Sequence, residues 1–322
     1  MRAGRASLSE PARTLFLGSG SFALLILDAL AASPEVQLVG IVSAPDRPSG
    51  RRGKSTAGPI ARRARDLGVP LLQPDRIRAP EAVAAIAELG LDLGVLADYG
   101  QLIPPAVLAV PAHGILNLHP SALPRHRGAA PIAATIAAGD PVAGVSLIQM
   151  DEGLDSGPLI DQETWPLDGT ETAPELEVSA ARRGAALLLR NIDGWFRGVR
   201  PAMPQSAAGV TLTRPLRRED GRLDSARSAV DLERQVRAYL PWPGSFVETG
   251  EGRLIVHAAQ ATVAEPFDQP GTLVADGDGL ALTTGEGRLR LLEVQLAGRR
   301  AMDGASLRRG APGLVGRPIS LR

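Results

Sequence analysis

Two periods alternate along the first two hundred residues. Residues 15–17 form a short apolar run that ends in Gly18-Ser19-Gly20. After it Phe22, Leu25, Ile26, Ala29 and Leu30 recur at helical spacing. The succession then repeats. Apolar runs at 36–42, from 71, at 91–97 and at 115–118 predict strands, and amphipathic stretches at 60–67, 81–89 and 129–138 predict helices between them. Two more strands are expected at 145–150 and 159–164, and a long helix from 174 to about 197 with Leu176, Leu187 and Leu188 inward. Strands separated by helical stretches need crossover connections. The expected fold class is therefore α/β, a Rossmann-like, mostly parallel sheet of right-handed βαβ units.

The pattern changes near residues 200–206, where Pro201 and Pro204 mark a linker. One helix near 232–239 is followed by short alternating runs at 253–258, 271–274, 280–284 and 289–296, punctuated by glycine. Period two in such segments predicts a smaller all-β module, a small barrel. The expected division is a disordered extension over 1–13, an α/β domain over 14–199, a linker over 200–210 and a β-barrel domain over 211–322.

Composition narrows the chemistry. A chain of 322 residues is long enough for two domains with full cores. It has no cysteine, which excludes disulfides, thiolate metal sites and a cysteine nucleophile. Its 35 basic and 35 acidic residues cancel, so a polyanionic partner must be met by a local patch. At 3% aromatic residues, repeated base-stacking platforms are not expected. Residues 14–33 are apolar enough to suggest a secretory leader, but Asp28, Gly18 and Gly20 interrupt them and strand–turn–helix is the better reading. No stretch of roughly 18 residues is continuously apolar, so no membrane span is expected.

Three segments could carry chemistry. Gly18-Ser19-Gly20-Ser21-Phe22-Ala23 fits the dinucleotide fingerprint, with Asp46 as the acid after the second strand, and fits equally a tight turn packed without a ligand. Residues 44–66 hold Arg47, Arg51, Arg52, Lys54, Arg62, Arg63 and Arg65 against only Asp46 and Asp66, and prolines and glycines keep the first half irregular. Such a segment suits phosphate contacts or is simply a solvated loop. Asn117 and His119 end a buried strand on the same side, and Asp151 and Asp155 follow the sixth strand. An amide, an imidazole and a carboxylate at neighbouring strand ends can stabilise an oxyanion and move a proton. His113, His126 and His257 read as structural, and no His spacing suggests a metal site.

The segment Asn117-Leu-His119-Pro-Ser121-Ala-Leu-Pro124-Arg-His-Arg127-Gly128-Ala-Ala-Pro131-Ile resembles the signature of the formyltransferases that use 10-formyltetrahydrofolate. Gln149-Met-Asp151-Glu-Gly-Leu-Asp155-Ser-Gly157 is similar to their second signature. The stretch from Pro45 to Lys54, the stretch from Val236 to Gly244 and Gly298-Arg-Arg-Ala-Met302 narrow the resemblance to the methionyl-tRNA formyltransferases, from about Leu15 to the C-terminus. The resemblance implies catalytic roles for Asn117, His119 and Asp155, and folate contacts from Ser121, Ala122, Leu123 and Pro124. It implies tRNA contacts from Arg47, Arg51, Arg52 and Lys54, and an OB-like C-terminal barrel that binds tRNA. The implied substrates are 10-formyltetrahydrofolate and initiator Met-tRNA, handled by a monomer in the bacterial cytoplasm with no metal and no membrane. Gly-Ser-Gly-Ser-Phe stands where the family usually has Gly-Thr-Pro-Asp-Phe, and Asp98 where it commonly has Ala before Tyr99-Gly100. Asp98 would lie near the pterin end of the folate. The C-terminal part is barely basic, 16 Arg against 14 acids from Thr211 on.

Three other functions fit parts of the sequence. One is a formyl-folate enzyme acting on an amino sugar or hydrolysing the cofactor. Another is an NADP-dependent reductase using residues 18–23, with Arg47 on the 2′-phosphate. The third is an RNA-binding protein without catalysis.

Overall fold

The computed structural model describes residues 10–49, 54–266 and 268–319. The chain divides into two compact units. The first comprises residues up to Pro131, Val142–Trp165 and Glu177–Thr213; the second comprises Ile132–Pro141, Pro166–Leu176 and the chain from Arg214.

The first elements are β1 (Ala12–Gly18), α1 (Ser21–Ala31), β2 (Val36–Val42), β3 (Arg47–Ser49), β4 (Lys54–Thr56), α2 (Pro59–Leu67) and β5 (Leu71–Leu72). Next come α3 (Pro80–Ala87), β6 (Leu93–Ala97), α4 (Pro105–Leu108), β7 (Ile115–His119), β8 (Arg127–Gly128) and α5 (Pro131–Ala138). They are followed by β9 (Val142–Gln149), β10 (Leu159–Pro166), α6 (Ala173–Phe196) and β11 (Leu212–Thr213). The main sheet has seven strands in the order β10-β9-β7-β6-β1-β2-β5. β5, β2, β1, β6 and β7 are parallel, and β9 runs antiparallel to β7. Every residue of β6 and β7 is buried, as helix-covered parallel strands require. Winding reverses between β1 and β6, so the crevice expected to take ligands opens beyond the carboxyl ends of these strands.

Local chemistry sets the helix ends. α2 starts on Pro59, whose missing N–H costs nothing in the first turn, and stops at Gly68, which takes φ +66°. α1 buries Phe22, Ala23, Ile26, Leu27 and Leu30, close to the face its spacing implied.

Two boundaries differ from the sequence expectation. β1 begins at Ala12, two residues before the expected domain start, because Arg13 is anchored. Its backbone N–H donates to Asp92 (2.9 Å), and its guanidinium donates to the carbonyls of Gly90 (2.8 Å) and Leu89 (2.6 Å). Of the rest of the expected extension, residues 1–9 lie outside the described residues. The segment expected as a linker over 200–210 belongs to the first unit. Met203 pairs with Leu159, and β11 pairs in parallel with β8. The basic segment also differs, since β3 and β4 form a hairpin with Arg47 opposite Thr56 and Ser49 opposite Lys54.

The second unit continues with α7 (Ala229–Ala238), β12 (Ser245–Thr249), β13 (Gly252–Thr262), β14 (Thr272–Asp276), β15 (Gly279–Thr283), β16 (Arg288–Leu296), β17 (Met302–Asp303), α8 (Gly304–Gly310) and β18 (Arg317–Pro318). Its antiparallel sheet runs β12-β13-β16-β15-β14-β18, with β17 on β16. Register shifts around Ala258 bend β13 and help the sheet curl, in keeping with the expected barrel-like module. Leu232 and Val236 of α7 join Leu254, Val256, Leu291 and Val294 in one apolar core.

Candidate functional site

β7 carries Asn117 and His119 to the carboxyl edge of the sheet, where they are 4% and 5% exposed. The loop after β9 returns Asp155 to them. Asp155 Oδ1 accepts from Asn117 Nδ2 (3.1 Å), and Oδ2 accepts from the N–H of Gly128 (2.8 Å). The same Oδ2 lies 3.6 Å from Nδ1 of His119. His119 Nε2 is 2.9 Å from the carbonyl oxygen of His126. A carbonyl can only accept, so Nε2 carries the proton. In the neutral ring Nδ1 then presents a lone pair toward Asp155, and only the doubly protonated ring donates there. The three residues singled out from the sequence thus meet in one buried polar cluster. His126, expected to be structural, places its ring against Thr211 but lends its carbonyl to the site.

Backbone geometry fixes this cluster. Asp155 sits at φ +47°, in the left-handed region that non-glycine residues seldom occupy. Gly128 takes φ +107°, and a side chain there would come within 2.2 Å of the Thr213 carbonyl. That close approach lets the Gly128 N–H reach Asp155. Asp151 closes the same loop by accepting from the Gly153 N–H (2.9 Å) and the Ser156 hydroxyl (3.0 Å).

The segment Ser121, Ala122, Leu123 and Pro124 follows directly. Ser121 and Leu123 are buried. The Ser121 hydroxyl donates to the Arg125 carbonyl (2.7 Å), and the Ser146 hydroxyl donates to the Ser121 carbonyl (2.7 Å). Gln162 donates to the Leu123 carbonyl (3.0 Å). These polar groups are used internally; Ala122 and Pro124 are half-buried, and the Ala122 Cβ lies against Gly144 of β9.

The glycine turn at 18–20 packs against the loop after β6. Ser19 N–H donates to the Asp98 carbonyl (2.9 Å). A Cβ on Gly20 would sit 1.9 Å from Asp98 Oδ2. The carboxylate therefore fills the space beside the start of α1 where a pyrophosphate would rest, which argues against the dinucleotide reading of residues 18–23. Asp98 is an exposed residue, yet the protein crowded around its carboxyl pushes it up to about 6. The charge of Glu177 adds to the rise, and the Gly20 N–H opposes it. Next to it Tyr99 is buried, its hydroxyl has no partner among the described residues, and burial pushes it up to about 12. Asp46 is held below the usual carboxyl range by its hydrogen bond from Gln73 and by Arg65.

Of the basic residues singled out, Arg51 and Arg52 lie outside the described residues, as do the side chains of Arg47 and Lys54. The hairpin backbone follows β2 on the carboxyl edge. A basic feature that sequence reasoning missed follows β5. A cavity of about 330 Å³ is lined by Arg76, Ile77, Arg78, Gln101 and Leu102. The alternation Arg76-Ile77-Arg78 straight after a predicted strand was the available signal. Among the described residues no group of three or more His, Asp or Glu side chains is placed to hold a metal ion, and no helix is long and apolar enough to cross a membrane.

Residues 12–192 match the formyl transferase family, and residues 215–312 match the family's C-terminal domain. The chain belongs to the formyl transferase family. Its formyl transferase relatives include one from Roseiflexus sp. (strain RS-1), named methionyl-tRNA formyltransferase, 42% identical over 93% of both chains. Another of the same name, from Myxococcus xanthus, is 40% identical over 95% of this chain and 98% of its own. Solved structures share the formyl transferase fold. An N-formyltransferase from Helicobacter canadensis with folinic acid and dTDP-3-aminofucose superposes with a TM-score of 0.63, 14% identity and coverage of 87% and 98%. HypX from Aquifex aeolicus with tetrahydrofolic acid gives 0.61 at 17% identity, covering 97% of this chain and 51% of that one.

Proposed function

We propose that this formyl transferase moves the formyl group of 10-formyltetrahydrofolate to the α-amine of the methionine on initiator tRNA, for translation initiation in the bacterial cytoplasm. The observation that carries the reading is the convergence of Asn117, His119 and Asp155 at the carboxyl edge of the sheet. The acceptor is supported by relatives of that name, about 40% identical over nearly the whole chain.

The amine nitrogen attacks the formyl carbon, and the carbonyl π pair moves onto oxygen. Asn117 has a second N–H to offer that oxygen, and the imidazolium of His119 offsets its charge, with Asp155 balancing the ring. The surplus proton leaves the amine nitrogen for the Asp155 carboxylate, the member of the pair that can accept it, and is returned to N10 on collapse. Collapse reforms the carbonyl and breaks the bond to N10 of the folate, which takes up a proton. The products are formylmethionyl-tRNA and tetrahydrofolate, with no covalent enzyme intermediate. Ala122 and Pro124 flank the folate, and the Ser121 and Leu123 backbone shapes that wall.

The tRNA is held by Arg47, Arg51, Arg52 and Lys54 of the β3–β4 hairpin, extended by Arg76 and Arg78, and by the C-terminal β-barrel over 211–322. Its phosphates meet this local basic edge on a chain of balanced net charge. The deciding experiment offers 10-formyltetrahydrofolate with either Met-tRNA or a dTDP-amino sugar as acceptor. Transfer to Met-tRNA alone is expected. Transfer to the sugar with none to tRNA would overturn the assignment in favour of an amino-sugar enzyme.

A further inference from the structure

Residues 193–214 lie between the two segments that match the family. In this stretch Gln205 makes four hydrogen bonds to the two segments that build the site. Its Nε2 donates to the carbonyls of Asp155 (2.8 Å) and Gly157 (2.7 Å). Its Oε1 accepts from Nε (3.1 Å) and from an Nη (2.7 Å) of Arg127. Two donors and two lone pairs are the full capacity of a glutamine amide, so the side chain is saturated and its orientation is fixed.

Each contact bears on Asp155. The residue holds φ +47°, a left-handed conformation that Asp adopts as a single residue at a modest cost and that its surroundings select here. Gln205 grips its carbonyl directly. Through Gly157 it grips the far side of the same turn, where a Cβ would come within 1.9 Å of the Gln149 carbonyl. Through Arg127 it ties this turn to the strand whose Gly128 N–H meets Asp155 Oδ2, next to the His126 carbonyl that holds His119. Met203 adds backbone pairing to Leu159, which keeps the segment against the strand leaving the loop.

We infer that Gln205 is a positioning residue for formyl transfer, holding Asp155 in the left-handed conformation that turns its carboxylate onto Asn117, Gly128 and His119. The inference rests on the reading of Asp155 as a group used in the reaction. Gln205 itself touches no reacting atom.

The test is a double-mutant cycle in steady-state transfer to Met-tRNA, using Gln205→Ala, Gln205→Met and Asp155→Ala on the full chain. Methionine keeps the reach of the side chain while removing all four hydrogen bonds, so it carries the test if the alanine variant does not fold. Either Gln205 variant is expected to lower kcat about 10- to 100-fold with KM for folate and tRNA within about twofold, since only placement of the carboxylate is lost. In the Asp155→Ala background the same change should have almost no further effect, because no carboxylate remains to be positioned. A Gln205 variant with wild-type kcat overturns the inference. So does a loss that multiplies in full with that of Asp155→Ala, which a general structural role would produce. Wild-type activity in Asp155→Ala alone would instead strike the underlying reading of the site.

Discussion

Nδ1 of His119 lies 3.6 Å from Oδ2 of Asp155, while the opposite ring nitrogen donates to the His126 carbonyl. The ring is therefore held from one side by a group that can only accept, and its other nitrogen turns toward a carboxylate. Protonation of Nδ1 makes that second contact an ion pair.

Asp155→Asn keeps the size of the side chain and removes its charge. An amide can offer one oxygen to the Gly128 N–H or to Asn117, but it cannot balance an imidazolium. The expected outcome is a loss of about 10²- to 10³-fold in kcat at an unchanged Tm. Superimposable pH–rate profiles for variant and wild type would show that the carboxylate has no electrostatic role.

Asp98 gives a pH-dependent stability. Its carboxyl is raised in the folded chain from the ordinary 3.8 to about 6, so the folded state binds the proton more tightly than the unfolded one. Stability from this group is fully present below about pH 4 and is lost as pH climbs through about 6, where folding must carry the charge. Asp98→Asn removes the charge and tolerates the φ of +47° found here. Its Tm should match the wild type near about pH 4 and exceed it by a margin that grows toward about pH 7. A margin that shrinks as pH rises would contradict the assignment.

The basic edge predicts a salt signature. Replacing Arg51, Arg52 and Lys54 with alanine should weaken tRNA binding and flatten its log–log salt dependence by about one unit per lost phosphate contact. Arg76→Ala with Arg78→Ala should flatten it further, by up to about two units. Folate titration of the same variants should be unchanged. Weakened folate binding with an intact salt slope would make this edge part of the folate site.

Much of this was legible in the sequence because burial writes itself as pattern. The run at 36–42 is a strand over those same residues, and Asn117 and His119 stand on one side of β7 as alternation requires. What escaped depends on long-range backbone partners. Gln205 finds its carbonyls about 50 residues away, and no local spacing announces such a bond. Ser245–Thr249 follows a proline-rich stretch and becomes a strand only because β13 pairs with it. The β3–β4 hairpin hid behind its proline and glycines, which read as irregular. Asp98 stands out in the sequence as a departure, but its place beside Gly20, in the space a Cβ there would take, depends on the three-dimensional approach of two loops.

The most direct test of the central claim is single-turnover formyl transfer from 10-formyltetrahydrofolate to initiator Met-tRNA, measured for wild type and His119→Ala with Tm determined on both. The account predicts rapid transfer by the wild type and a loss of about 10²-fold or more in the variant at a comparable Tm. Wild-type turnover in a folded His119→Ala protein would contradict it.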